Sequence, residues 1–146
     1  MIFPRVRASA INYLVDAGPI VGLLSESDQW HGWSTQTLTV LDESLATTET
    51  ALGEACHLLR SYRPALQEVM AMLASGRLRL VSVLAGHPRR IGELLAKYPQ
   101  MDAGDATLVV LSELHPRAKL ITVDDDFRRY RRFRHQAMPL VIPDRA

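Results

Sequence analysis

The stretch Asn12-Tyr13-Leu14-Val15-Asp16-Ala17-Gly18 constrains the fold more than any other. Three apolar residues run into an acid, and a small-residue turn with Pro19 follows directly. A short apolar run closed by turn residues predicts a buried strand. Apolar positions resume at Ile20, Val21, Leu23 and Leu24, the spacing of a helix. Pro19 suits the first turn of that helix, where a missing N–H costs no hydrogen bond. Asp16 is thereby delivered to the carboxyl end of a buried strand, the edge at which open α/β sheets bind ligands. Capping of the next helix explains one acid there equally well. Further acids arriving at the same edge shift the balance.

The rest of the chain alternates in the same way. Ser27-Asp28 predicts the start of a helix over 29–41, which carries Trp30, His31 and Trp33; a histidine between tryptophans reads as a packing residue. Residues 44–48 predict a strand and 49–61 a helix. Glu49 suits the positive end of that helix dipole, whereas Glu54 interrupts a mostly apolar stretch. Pro64 opens a helix that closes at Gly76, residues 78–82 form a third strand, and 91–98 a helix closed by Pro99. Asp102 and Asp105 then stand three apart at the head of an apolar helix, on one face of its first turn, where their mutual repulsion calls for a cation. Residues 119–123 are the most strand-like of the chain and end in Asp124-Asp125-Asp126, repeating the arrangement at Asp16. A fifth strand is expected over 138–142. Such alternation predicts an α/β fold, a parallel sheet with helices on both faces and right-handed crossovers. The 146 residues suit one domain over 1–146, with 1–11 as a short N-terminal extension.

Composition narrows the function. No apolar run approaches the ~20 residues of a membrane span, and the basic N-terminus lacks the apolar stretch of a signal peptide. The single cysteine, Cys56, excludes an internal disulfide and fits a cytoplasmic location. Residues 1–76 hold four arginines and eight acids, net −4, whereas 77–146 hold thirteen basic and eight acidic residues, net +5. A basic second half hints at a polyanionic partner. GxGxxG, GxxxxGK[ST], HExxH, paired CxxC and GxSxG motifs are all absent from the sequence, which leaves dinucleotide, P-loop, zinc and serine-hydrolase readings without support.

The acids point elsewhere. Asp16 and Asp124 end strands, while Glu54 and Asp105 lie early in helices that begin at the same sheet edge. Four carboxylates within about 5 Å would repel by about 3 kcal/mol per pair at an effective dielectric near 20. Protonation or a divalent cation must relieve this, and an all-oxygen set suits Mg²⁺ or Mn²⁺ rather than zinc.

Four stretches, YLVDAGPIVGLL at 13–24, TTETALGEACHLL at 47–59, MDAGDATLVVLSE at 101–113 and LITVDDDFRRYR at 120–131, occur in the order found in PIN-domain ribonucleases. The chain resembles that family, and most closely the VapC-like toxins of toxin–antitoxin pairs. The resemblance implies a three-layer α/β/α fold with strand order 3-2-1-4-5. It assigns Asp16, Glu54, Asp105 and Asp124 to the catalytic, metal-holding quartet, with Asp102 and Asp126 as secondary ligands. It further implies an Mg²⁺- or Mn²⁺-dependent endoribonuclease that leaves 5′-phosphate and 3′-hydroxyl ends, dimerises, and pairs with an antitoxin protein. Thr122 matches a Ser/Thr position before the fourth acid and is assigned to substrate contact. Ala17, Gly18 and Gly104 depart from the commoner residues, which bears on substrate positioning rather than on the acids.

Arg128, Arg129, Arg131, Arg132 and Arg134 follow the last acids. Arg128 and Arg131 are the expected contacts to an RNA backbone. The same run also fits a solvated helix face with Tyr130 and Phe133 turned inward, or a surface for the antitoxin. Trp30 and Trp33 fit either a protein interface or the core. A catalytically silent PIN-like module that binds RNA or protein is the alternative to the nuclease, although such a module has no need of four mutually repelling acids.

Overall fold

The computed structural model describes residues 10–145. The chain runs β1 (Tyr13–Val15), α1 (Ala17–Leu24), α2 (His31–Thr39), β2 (Leu45–Thr48), α3 (Glu49–Leu58), α4 (Arg63–Ala74), β3 (Leu78–Val81), α5 (Pro88–Lys97), α6 (Ala103–Leu114) and β4 (Lys119–Ile121), then three two-residue strands, β5 (Arg131–Arg132), β6 (Gln136–Ala137) and β7 (Leu140–Val141). Five strands pair in the order β3-β2-β1-β4-β7, and every pairing is parallel. This is the expected 3-2-1-4-5 sheet of a three-layer α/β/α fold, with β7 as its fifth strand. Ile11, expected in the N-terminal extension, packs against the core; the rest of that extension up to residue 9 lies outside the described residues.

A parallel sheet is covered on both faces, so its strands read as apolar runs rather than as alternations. Successive side chains nevertheless serve opposite cores. Leu14 and Leu120 join one core with Leu94 of α5 and Leu108 and Leu111 of α6. Val15 and Ile121, their chain neighbours, join the other with Ile20 of α1, Leu52 of α3 and Val69 of α4. Each leucine or isoleucine so enclosed contributes about 1.5–3 kcal/mol. The two cores fix the register of β1 against β4, and with it the two carboxylates at their ends.

Gly18, just past the end of β1, lies close against Val123, just past the end of β4. A Cβ added at Gly18 would stand 2.6 Å from Cγ2 of Val123, closer than real Cβ contacts come, so a side chain here would force Val123 to shift. Gly18→Ala is expected to cost about 1–3 kcal/mol by overpacking. Adding Val123→Ala should recover most of the lost melting temperature in a thermal-unfolding series.

Two expectations differ from the structure. The helix predicted from residue 29 starts at His31, because Asp28 takes the Trp30 N–H in a turn (2.9 Å). Nδ1 of His31 lies 2.7 Å from the Gly22 carbonyl, so this ring ties α2 to α1. The arginine-rich segment is not a helix either. A 3-10 turn at Asp125–Arg128 leads into the β5–β6 hairpin, whose turn holds Phe133 and Arg134 at φ 48° and 70°. Tyr130 is buried, as expected of an inward ring, but Phe133 points outward and is 43% exposed. Long-range bonds override the local helical pattern: Glu113 accepts the Phe133 N–H, and the buried Arg132 donates to the Ser112 carbonyl and hydroxyl (both 3.1 Å) and to Gln136 (3.0 Å). Burial lowers the pKa of this guanidinium, and nearby Glu113 opposes that effect. It pins the hairpin to α6.

Candidate functional site

Each expected acid is placed by a local rule. Asp16 ends β1 and caps α1, its Oδ1 accepting the Ala17 N–H at 2.8 Å. Asp102 caps α6 by accepting the Asp105 N–H (2.8 Å). Asp124 caps the 3-10 turn by accepting the Asp126 N–H (2.9 Å). Three acids therefore do the capping work that short acidic side chains do anywhere. Glu54 projects from the middle of α3, and Asp105 from the first turn of α6.

What capping does not account for is their mutual proximity. Asp16 senses the charges of Asp124 and Glu54; Glu54 senses Asp102 and Asp124; Asp105 senses Asp102, Asp16 and Asp124. All four expected quartet members are thus brought into one electrostatic cluster at the carboxyl edge of β1 and β4. Burial is the larger cause of their shifts and like charge adds to it. Burial pushes the Asp16 carboxyl up to about 6, against the Thr122 and Ala17 bonds that lower it. Burial and then Asp102, Asp16 and Asp124 push Asp105 up to about 8. Glu54 and Asp124 are raised from the ordinary carboxylate range, again chiefly by burial. Among the described residues no lysine or arginine forms an ion pair with any of these four or with Asp102; the acidic neighbours Asp125 and Asp126 do pair, with Arg128 and Arg145 and with Arg129.

The donor set is all carboxylate oxygen, the chemistry that Mg²⁺ and Mn²⁺ take. Uncompensated carboxyls at least nine-tenths buried, as Asp16 and Asp105 are, suit a cation as their missing partner. Among the described residues, however, no three His, Cys, Asp or Glu side chains stand close enough to form a ready ligand cage. The acids are electrostatic neighbours whose repulsion a cation would relieve. The set fits a divalent ion by chemistry and charge.

Other expected residues are placed differently. Thr122 has no exposed surface: its hydroxyl donates to Asp16 Oδ2 (2.8 Å) and accepts the Asp124 N–H (3.0 Å). It ties the two strand-end acids together and cannot reach a substrate. Arg128 donates to Asp125 and to the Pro143 carbonyl, and Arg131 to the carbonyls of Arg128 and Tyr130. Asp126 is engaged by Arg129, which offsets its charge. Trp33 packs against a core, and Trp30 carries the Arg145 guanidinium 5.2 Å above its ring. Neither tryptophan is a free apolar surface.

Tyr130 was legible only as a core ring, yet its hydroxyl stands 3.3 Å from Asp105 Oδ2 as a donor. Burial first, and then Asp105, raises its pKa, so it stays a neutral donor. Tyr98 and Phe127 meet its ring edge to face at 5.0 and 5.2 Å. A pair of threonines was also missed: Oγ1 of Thr48 and Oγ1 of Thr107 lie 2.8 Å apart, both buried.

The family model of the PIN domain matches residues 13–133. Among curated proteins, none matches the chain by sequence. Solved structures share its fold at low identity. The Mycobacterium tuberculosis toxin VapC20, described as sarcin-ricin loop cleaving, superposes with a TM-score of 0.71 at 20% identity, over 79% of this chain and 92% of its own. A toxin–antitoxin complex from Klebsiella pneumoniae gives 0.60 at 19% identity, over 78% and 88%. VapBC2 of Rickettsia felis, solved with a DNA fragment from its promoter, gives 0.62 at 15% identity, over 92% and 100%.

Proposed function

The chain belongs to the PIN-domain family, and from that premise we propose that it is a divalent-metal-dependent endoribonuclease acting as the toxin of a toxin–antitoxin pair. One observation carries the reading. Four carboxylates converge at the carboxyl edge of a parallel sheet, and among the described residues none of them forms an ion pair. A catalytically silent binding module has no use for that cost.

In this proposal Asp16, Glu54, Asp105 and Asp124 hold Mg²⁺ or Mn²⁺, with Asp102 and Asp126 at the margin. When bound, such an ion supplies a water of lowered pKa and neutralises charge on a phosphate. The chain's own residues orient the acids. Thr122 fixes Asp16 from below by occupying Oδ2, while the Ala17 N–H occupies Oδ1. Tyr130 steadies one oxygen of Asp105. Burial first, and then repulsion, favours the protonated forms of these carboxyls, and a bound cation would offset both. The half-exposed Arg128 and the more exposed Arg129 stand four and five residues after Asp124 and offer charge to a nucleic-acid backbone. Arg131 contributes to that field while bracing the turn.

RNA as substrate rests on the family resemblance and on the fold likeness to VapC20, which is described as a sarcin-ricin loop cleaving toxin. An antitoxin partner rests on the complexes from Klebsiella and Rickettsia, a homodimer on the family resemblance, and a cytoplasmic location on the single cysteine. Among the described residues no helix is long and apolar enough to cross a membrane. The test of substrate class is direct. A single-stranded RNA and a DNA of the same sequence are incubated with the protein in Mg²⁺. Cleavage of the RNA at least tenfold faster is expected, and equal rates would remove the ribonuclease reading.

A further inference from the structure

The threonine pair lies on a seam between α3 and α6. The face of α3 that begins with its cap runs Thr48, Ala51, Glu54, and the opposing face of α6 runs Thr107, Gly104. Thr48 meets Thr107 at 2.8 Å. A Cβ on Gly104 would stand 3.7 Å from Cα of Ala51 and 3.8 Å from Oε2 of Glu54. The rungs thus descend from two buried hydroxyls, through a backbone contact, to the Glu54 carboxylate.

The protons in the seam have one consistent arrangement. The Ala51 N–H donates to Oγ1 of Thr48 (3.1 Å), and Oγ1 of Thr107 donates to the Gly104 carbonyl (2.7 Å). The remaining proton, that of Thr48, therefore donates to Oγ1 of Thr107. A chain of hydrogen bonds runs from the first turn of α3 to the first turn of α6, each bond polarising the next. Both hydroxyls are at most 1% exposed, so no water competes for them.

We infer that Thr107, through Thr48, is a positioning residue that sets the distance of Glu54 from Asp102 and Asp105, and so the readiness of the acid cluster to close on a divalent cation. The inference rests on the metal-dependent reading of that cluster. Two helices bring separate acids to the site, Glu54 on α3 and Asp105 on α6. Among the described residues, the side-chain hydrogen bond that joins these helices is this hydroxyl pair. Without it the helices would still pack, through Ala51 and Gly104, but their first turns would be free to slide by a few tenths of an ångström. A cation that takes oxygens at 2.0–2.1 Å in near-octahedral array tolerates little of that.

The test compares Thr107→Ser with Thr107→Ala, which differ by the hydroxyl alone. Mn²⁺ binding is measured by calorimetry on the full chain, with circular dichroism to check the fold. The serine variant is expected to bind Mn²⁺ within twofold of the parent, and the alanine variant about tenfold more weakly with its helical signal unchanged. Thr107→Val, which restores the lost volume without a donor, should behave as alanine does. Should alanine fail to fold, valine decides; unfolding of both would make the hydroxyl a folding element and overturn the positioning role. Equal Mn²⁺ affinity in parent, serine and alanine variants would overturn it as well, leaving the metal reading intact. A parent that binds no Mn²⁺ would overturn both.

Discussion

Asp16→Asn and Asp105→Asn are each expected to fold as the parent does and to lose RNA cleavage by a hundredfold or more. The amide keeps the size of the carboxyl and its ability to cap: Asn at position 16 can still accept the Ala17 N–H. What it removes is the charge that would hold a cation. Metal activation of water and neutralisation of phosphate charge each supply several kcal/mol of barrier lowering, and about 1.4 kcal/mol is a factor of ten in rate. Loss of one ligand at the centre of the cluster therefore costs about two decades or more. Asp126→Asn, at an acid already engaged by Arg129, should cost less than tenfold. Single-turnover rates on folded protein check the series. Parent-like rates in both central variants would leave the binding-module reading in possession.

The second large effect is on stability, and its sign follows from protons. The folded protein holds a proton on Asp105 up to about pH 8 and on Asp16 up to about 6, whereas an unfolded chain releases both near the ordinary value of 3.8. Between those limits the native state binds more protons than the unfolded one, so the contribution of these groups to stability falls as pH rises from about 4 to about 8. It is fully present at and below pH 4 and gone above 8. Asn at position 105 carries no such proton and no such loss. In metal-free buffer, the melting temperatures of Asp105→Asn and the parent should lie close together near pH 4 to 5. The variant should melt higher by about 5 °C or more near pH 8.5. Saturating Mn²⁺ should then raise the parent and close the gap, since a ligand that binds only the folded state stabilises it by mass action. A gap that stays flat from pH 5 to 8.5 would mean that Asp105 ionises without penalty.

Much of this site could be read from local sequence because its acids are set by local rules. Asp16 and Asp124 each end an apolar run, and Asp102 and Asp105 head an apolar helix. Once the strands alternate with helices, the sheet must be parallel and those positions must share an edge. Glu54 stood out only as a charge in an apolar stretch. What remained hidden depended on partners far apart in the chain. Thr48 and Thr107 are 59 residues apart, and nothing near either one announces the other. Thr122 and Asp16 are separated by 106 residues, so the resemblance, which assigns Thr122 to substrate contact, gives no sign of the bond by which it braces another acid. Arg132 illustrates the opposite error. Its segment has the composition of an exposed basic helix, and Ser112, Glu113 and Gln136 turn it into a hairpin anchored by a buried cation. The Tyr130 ring was placed correctly as core, but its hydroxyl found Asp105, a partner 25 residues upstream.

The central claim is that these carboxylates hold a cation with which the chain hydrolyses RNA. The measurement that meets it most directly is the incubation of purified protein with a structured RNA in Mg²⁺, in EDTA, and in Mg²⁺ with Asp16→Asn in place of the parent. The products are mapped by sequencing and their ends identified. Discrete cuts bearing 5′-phosphate and 3′-hydroxyl termini, present only with the parent in Mg²⁺, are the predicted result. Cuts that persist in EDTA and in Asp16→Asn, or termini carrying a 2′,3′-cyclic phosphate, would contradict it.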